Sequence, residues 1–276
     1  MESAGAACKA RPLGGSIVRM NPIEFVDVAT AKAARGVRMV ASGMVPSPWA
    51  EAAKGLFRLQ GVPVRVVRFS REDAELAAWM RADNVPVVFH DDEPPRANWA
   101  AITTLAARLG PPGALLPDDL DHRARTVGLL HEIAGEEGLG WNARLLMIHA
   151  SMTSEGKRGF PPPAARYLAA RYGYSPALDL DRVRARIVTA LSALAARLDG
   201  GRDYLDGDRP NALDVYAATF LTPLCPIPES DCPRLQPLLR QAFGTAREEL
   251  GDAVPRALVE HRSRMYERHL GWPIEL

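Results

Sequence analysis

The chain has 276 residues, of which 47% are hydrophobic and 24% charged, so it is long enough for two modest domains with apolar cores. Its 34 basic and 33 acidic residues leave a formal net charge of +1, which creates no broad positive field for nucleic acid or an anionic membrane. No apolar stretch approaches the roughly 20 residues that cross a bilayer, and the first residues lack a signal-peptide pattern. We therefore expect a cytoplasmic protein that binds neither nucleic acid nor a membrane.

The first third of the chain alternates between strand and helix patterns. Residues 1–36 have no clear pattern and are interpreted as an N-terminal extension. Over residues 37–113 the apolar periodicity changes repeatedly between strand-like and helix-like. It predicts strands at 37–41, 62–69 and 85–90, and helices at 49–60, 71–81 and 97–109. This order indicates an α/β domain with parallel strands, and the absence of GxGxxG and GxxxxGK[ST] argues against a nucleotide-binding fold.

The remainder of the chain is predicted to be all helical. A joint rich in proline and glycine at 110–117 (GPPGALLP) separates it from the α/β part, and residues 118–276 show almost no strand pattern. Helical spacing predicts seven helices, at 120–132, 141–152, 160–174, 182–198, 212–224, 235–250 and 254–269. Before one of them, Asn211 can act as the N-cap and Asp214 can complete a reciprocal capping box.

Three stretches resemble the glutathione-transferase family, in the family's order. They are SPWAEAAKGLFRLQG at 47–61, NVPVVFHDDEPPRANWAAITTLAARL at 84–109 and RDYLDGDRPNALDVYAATFL at 202–221. The resemblance implies an α/β thioredoxin-like domain over 37–113 plus an all-α C-terminal domain over 118–276. It also implies glutathione as co-substrate, a small apolar molecule as the other partner, and a homodimer.

Ser47 occupies the position that resembles the family's catalytic serine. The N-terminus of a helix offers unpaired N–H groups and partial positive charge that can favour a thiolate, and a hydroxyl there can donate one more hydrogen bond. The alternative is that Ser47 only caps the helix that begins at Pro48, since serine followed by proline is a common helix start. The sequence leaves both interpretations open.

Val85 and Pro86 resemble the family's cis-proline position. The resemblance implies that the backbone of Val85 binds the peptide part of glutathione next to a cis Val85–Pro86 bond. The alternative is a trans proline at the first position of a strand, which is sterically acceptable.

Asn98 and Trp99 depart from the family's pattern. The family usually has an acidic residue followed by serine here, and these bind the γ-glutamyl ammonium and carboxylate. An amide has no negative charge for an ammonium, and indole offers no hydroxyl, so Asn98 and Trp99 are altered cofactor-binding candidates. Their alternatives are an N-cap for Asn98 and packing for Trp99.

Several other polar residues are candidates for parts of the site. Arg68, Arg71 and Arg96 can meet glutathione carboxylates, and the sequence does not select among them. Tyr167, Tyr172 and Tyr174 either line an apolar pocket or belong to the core or its rim. No metal site is predicted, because Gly135 stands where the HExxH pattern starting at His131 needs its second histidine.

Three functions compete. The first is an enzyme that adds glutathione to an electrophilic apolar compound, with Ser47 as its catalytic residue. The second is a catalytically silent protein that keeps the fold and binds an apolar ligand, which Asn98 and Trp99 favour. The third is a lyase or isomerase that uses glutathione as cofactor, and the sequence does not separate it from the first.

Overall fold

The computed structural model describes residues 23–276, and these form a four-stranded sheet with helices followed by an all-helical region. The strands are β1 (Ile23–Phe25), β2 (Val37–Ala41), β3 (Val64–Arg68) and β4 (Val87–His90). The helices are α1 (Val28–Ala33), α2 (Pro48–Leu59), α3 (Ala74–Met80), α4 (Trp99–Leu109), α5 (Leu120–Ala134), α6 (Leu139–Thr153), α7 (Pro162–Arg171), α8 (Leu180–Ala195), α9 (Ala212–Phe220), α10 (Pro237–Leu250) and α11 (Arg256–Met265). Each helix and strand predicted from the sequence is present, with ends shifted by a few residues, and the predicted fold class is confirmed.

The sheet has the strand order β1-β3-β2-β4. β1 and β2 pair in parallel with β3, whereas β4 runs antiparallel to β2. Side chains alternate across the sheet, so Met39 packs into the large core shared with the helices while Val40 packs into a smaller cluster on the opposite face. Both faces of the sheet are therefore covered by packed side chains, and the sequence of each strand is largely apolar.

The prediction that residues 1–36 are an extension is wrong for the part that the structure describes. Ile23 lies opposite Val64 and Phe25 opposite Val66, so β1 is an edge strand of the sheet, and α1 connects it to β2. A three-residue, partly buried strand is too short to give a recognisable alternation, which is why the sequence pattern missed it. Residues 1–22 of the predicted extension lie outside the described part of the chain.

The predicted capping box at the start of α9 is confirmed. The Asn211 side chain accepts a hydrogen bond from the Leu213 N–H at 2.8 Å, and Asp214 accepts one from the Asn211 N–H at 3.0 Å. Every residue of α9 is buried, and the helix packs against α2 of the α/β region as well as against α5 and α11. The cap therefore fixes the central helix that joins the two regions.

Candidate functional site

Three strand ends meet at one edge of the sheet, called here the site edge. In the parallel pair Ala41 lies opposite Arg68, so β2 and β3 both end there. In the antiparallel pair Val40 lies opposite Val87, so β4 begins at the same edge. The loops that follow β2 and β3, and the loop that precedes β4, are therefore neighbours.

Sequence-predicted residues from four segments come together at the site edge. Ser47 ends the loop after β2, Arg71 follows β3, and Val85 lies two residues before β4. Asn98 reaches the same edge because Arg96 forms an antiparallel bridge with Val88. The structure thus brings together residues that are up to about fifty positions apart in the chain.

Ser47 is the N-cap residue of α2, but its hydroxyl does not cap the helix. Its backbone N–H donates to the Val45 carbonyl at 2.7 Å, and its carbonyl accepts from the Glu51 N–H at 2.9 Å. No residue between 23 and 276 forms a hydrogen bond with the half-buried hydroxyl. The capping alternative is therefore wrong, and the hydroxyl stands free beside the unpaired N–H groups of the first turn of α2.

The Val85–Pro86 peptide bond is cis, as the family resemblance implied. Val85 is half-buried, and neither its N–H nor its carbonyl is hydrogen-bonded to another described residue. Because buried backbone groups are normally paired, this N–H and carbonyl are suited to an extended ligand backbone.

Asn98 and Trp99 have the structural roles that the sequence offered as alternatives to glutathione binding, an N-cap and a packing residue. The Asn98 side chain accepts a hydrogen bond from the Ala101 N–H at 2.9 Å and so caps α4. The half-buried Trp99 ring packs edge-on against Tyr216 and His131, with ring centroids 6.3 and 6.1 Å apart. Asn98 remains exposed at the site edge, whereas the Trp99 side chain packs between the two regions.

The structure distinguishes the three candidate arginines. Arg68 donates twice to the Leu276 carbonyl, at 3.0 and 2.8 Å, and Arg96 is paired with Glu93 at 2.5 Å. No carboxylate of the described chain lies within 4.0 Å of Arg71. Arg71 is therefore the one of these three that is available for a ligand carboxylate.

Helix α7 and the residues just after it lie over the site edge. The guanidinium of Arg71 lies 3.8 Å from the ring centroid of Tyr167. The Tyr172 ring lies 6.4 Å from that of Trp49 in the first turn of α2, and 4.7 Å from that of Trp141 on α6. Partly buried aromatic side chains thus cluster beside the site edge, where the two regions meet, and this junction is called here the interdomain cleft.

The architecture was compared with known proteins. A family model described as "Glutathione S-transferase, C-terminal domain" matches residues 177–252. A glutathione transferase family member from Pseudomonas fluorescens, crystallised with two glutathione bound, covers 88% of this chain and 95% of its own, with a TM-score of 0.58 and 15% identity. The chain has the glutathione-transferase fold.

Two further solved structures share this glutathione-transferase fold. The glutathione transferase from Pseudomonas putida, with one glutathione disulfide bound per subunit, is 14% identical, with 89% and 96% coverage and a TM-score of 0.58. The glutathione S-transferase from Methylobacillus flagellatus, with glutathione bound, is 13% identical, with 85% and 96% coverage and a TM-score of 0.55. A comparison of the sequence with curated proteins found no match. At these identities the likeness shows the fold alone.

Sequence reasoning missed one residue that links the two regions of the glutathione-transferase fold. The Trp49 indole Nε1 donates to the Ala134 carbonyl at the end of α5, at 2.9 Å, and its ring packs edge-on against Phe220 at 4.8 Å. This ties the first turn of α2, and with it Ser47, to the helical region. A tryptophan two positions after the candidate N-cap Ser47 was the available signal.

Tyr174, the third tyrosine considered for the pocket, contacts a histidine of the helical region. The hydroxyl of Tyr174 is 3.3 Å from Nδ1 of His149, a contact within the helical region.

A surface cavity of about 470 Å³ opens beside α5, where His122 is paired with Asp206 at 2.8 Å. No helix within residues 23–276 is long and apolar enough to span a membrane.

Proposed function

We propose that the chain binds glutathione at the site edge and joins it, through its sulfur, to an electrophilic apolar small molecule held in the interdomain cleft. The observation that carries the proposal is the free Ser47 hydroxyl at the N-terminus of α2. A helix N-terminus favours a thiolate, and an uncommitted hydroxyl beside it can donate a hydrogen bond to that thiolate.

The other groups at the site edge fit the remaining parts of glutathione. The unpaired N–H and carbonyl of Val85 suit the cysteinyl backbone, since a ligand in extended conformation can pair with both. Arg71 supplies a guanidinium without a carboxylate partner, which suits a terminal carboxylate of the tripeptide. Asn98 offers no charge to the γ-glutamyl ammonium, so this end is held more weakly than by an acidic residue.

In this mechanism the protein contributes by position and by electrostatics. As the thiol proton leaves to solvent, the Ser47 hydroxyl donates a hydrogen bond to the sulfur. This hydrogen bond lowers the pKa of the bound thiol. The thiolate then forms a C–S bond with the electrophilic carbon, which either expels a leaving group as an anion or gives up a π bond whose far atom takes a proton from water. The apolar part of the electrophile packs against Trp49, Tyr172 and Trp141. Holding both reactants in one cleft converts a bimolecular reaction into an effectively unimolecular one.

A catalytically silent binding protein is the second candidate. The observation that favours it is that Asn98 serves as an N-cap and Trp99 as interface packing, so neither residue is arranged as a ligand group. In that case the interdomain cleft would bind an apolar ligand without glutathione.

Replacing Ser47 with alanine tests the catalytic assignment. We expect the pKa of the bound glutathione thiol, followed by thiolate absorbance against pH, to rise by about one to two units, because one charge-assisted hydrogen bond is lost. Conjugation of a chromogenic electrophile near neutral pH should slow by about 10- to 100-fold in proportion. The affinity for glutathione should stay nearly unchanged.

Ser47→Thr is the matched control, because it keeps a hydroxyl at the same position. It should retain most of the lowered thiol pKa and most of the rate. If the thiol pKa is the same in the wild-type and Ser47→Ala proteins, the hydroxyl does not act on the sulfur and the assignment fails.

A further inference from the structure

Arg144, on α6, is a buried cation without an acidic partner. Its relative exposure is 7%, and no Asp or Glu side chain of the described chain lies within 4.0 Å of its guanidinium. Arg144 therefore lacks the carboxylate partner that would offset the cost of burying its charge. Burial lowers the pKa of Arg144, and the nearby Tyr172 hydroxyl opposes that shift only in part.

The surroundings of this guanidinium are aromatic. Its central carbon lies 5.8 Å from the Trp49 ring and 5.4 Å from the Phe160 ring. Trp49 and Tyr172 also belong to the aromatic cluster at the interdomain cleft, so Arg144 stands next to the place where the electrophile is proposed to bind.

Two acidic side chains between the end of α5 and the start of α6 are paired with other arginines. Glu132 is paired with Arg186 at 2.9 Å, and Glu137 with Arg182 at 3.4 Å. Glu132 and Glu137 therefore do not serve as acidic partners of the buried Arg144.

The guanidinium keeps a small opening to solvent. None of its nitrogen atoms belongs to the fully buried side-chain atoms without a hydrogen-bond partner, and its polar neighbour is the neutral Tyr172 hydroxyl rather than a carboxylate. A ligand atom can therefore reach it. Leaving a buried charge unpaired is costly, so a site of this kind favours binding of a group with opposite charge.

We propose that Arg144 binds a carboxylate of the second substrate, so that the electrophile is an aromatic or otherwise apolar molecule carrying one anionic group. Arginine is suited to this role because its planar fork can donate two parallel hydrogen bonds to a carboxylate. The inference rests on the proposed function for the identity of the cleft, and it names the substrate class.

The test compares two ligands of nearly the same shape that differ in charge. The purified chain is titrated calorimetrically, without glutathione, with 3,5-dinitrobenzoate and with 3,5-dinitrobenzamide. We expect the wild-type protein to bind the benzoate about 10- to 100-fold more tightly, which is the range of one charge-assisted hydrogen bond. Arg144→Gln should remove this preference while binding of the benzamide changes by less than about threefold.

Two further variants separate binding from folding. Arg144→Lys keeps the positive charge and should retain part of the preference, whereas Arg125→Gln removes an exposed arginine beside the α5 cavity and should leave it intact. A wild-type protein that binds both ligands equally, or neither, would overturn the proposal, as would a preference that persists in a folded Arg144→Gln protein. Because no thiol is present, these outcomes do not depend on whether glutathione binds.

Discussion

Replacing Asp214 with alanine is expected to lower the free energy of unfolding by about 3–5 kcal/mol. The carboxylate is fully buried and accepts three hydrogen bonds: 2.8 Å from the Leu205 N–H, 3.0 Å from the Asn211 N–H and 2.8 Å from Nε2 of His261. Alanine leaves all three donors buried without their acceptor. The loss is therefore larger than the roughly 1 kcal/mol expected of an N-terminal cap alone.

Urea unfolding of matched variants measures this effect. Asp208→Ala, in the exposed loop just before α9, is the control and should change the unfolding free energy by less than about 0.5 kcal/mol. A loss below about 1 kcal/mol for Asp214→Ala would show that the three hydrogen bonds of Asp214 do not hold the helical region together.

Lys54→Met is expected to have an effect of similar size for a different reason. Lys54 and Glu51 are both buried on α2, with the Lys54 ammonium 2.8 Å from the Glu51 carboxylate and 2.6 Å from the Glu275 carbonyl. Removing the lysine leaves a buried carboxylate without its partner, which costs about 3–5 kcal/mol. The exposed pair Lys32–Glu75 has the same 2.8 Å distance, and Lys32→Met should cost at most about 1 kcal/mol.

The pH dependence of this loss has a definite sign. Burial raises the pKa of Glu51, and Lys54 opposes that shift, so the variant should raise it further. A carboxyl whose pKa is higher in the folded than in the unfolded state binds more protons when folded, so stability falls as pH rises through that interval. The Lys54→Met protein should therefore regain stability as the pH is lowered from neutral toward the ordinary carboxyl range.

Unfolding at several pH values checks this expectation. The double variant Glu51→Gln/Lys54→Met removes both charges and should lose less stability at neutral pH than Lys54→Met alone. Equal losses for Lys54→Met and Lys32→Met would contradict the assignment of Glu51 and Lys54 as a stabilising buried pair.

Local sequence signals predicted the features that depend on neighbouring residues. The capping box of Asn211 and Asp214 was readable because its two members are three positions apart. The link from Asp214 to His261 spans 47 residues and has no local signal. Strand β1 was missed because three residues are too few to show a period.

The difference between local signals and contacts distant in the chain also explains which candidate site residues the sequence could indicate. Ser47, Val85 and Asn98 were predicted as site residues because they lie in motifs that resemble a family, whereas the choice of Arg71 over Arg68 depended on Leu276, 208 positions from Arg68. Arg144 has no motif and no unusual spacing. Only the packing of α6 against Trp49 and Phe160 shows that it is a buried, unpaired charge.

Calorimetric titration with glutathione tests the central claim, that the site edge binds this tripeptide, most directly. We expect saturable binding of one glutathione per chain. Asn98→Asp keeps an oxygen that can cap α4 and adds a charge for the γ-glutamyl ammonium, so it should tighten binding by about 10- to 100-fold. Absence of measurable binding at millimolar glutathione in both the wild-type and the Asn98→Asp protein would contradict the account.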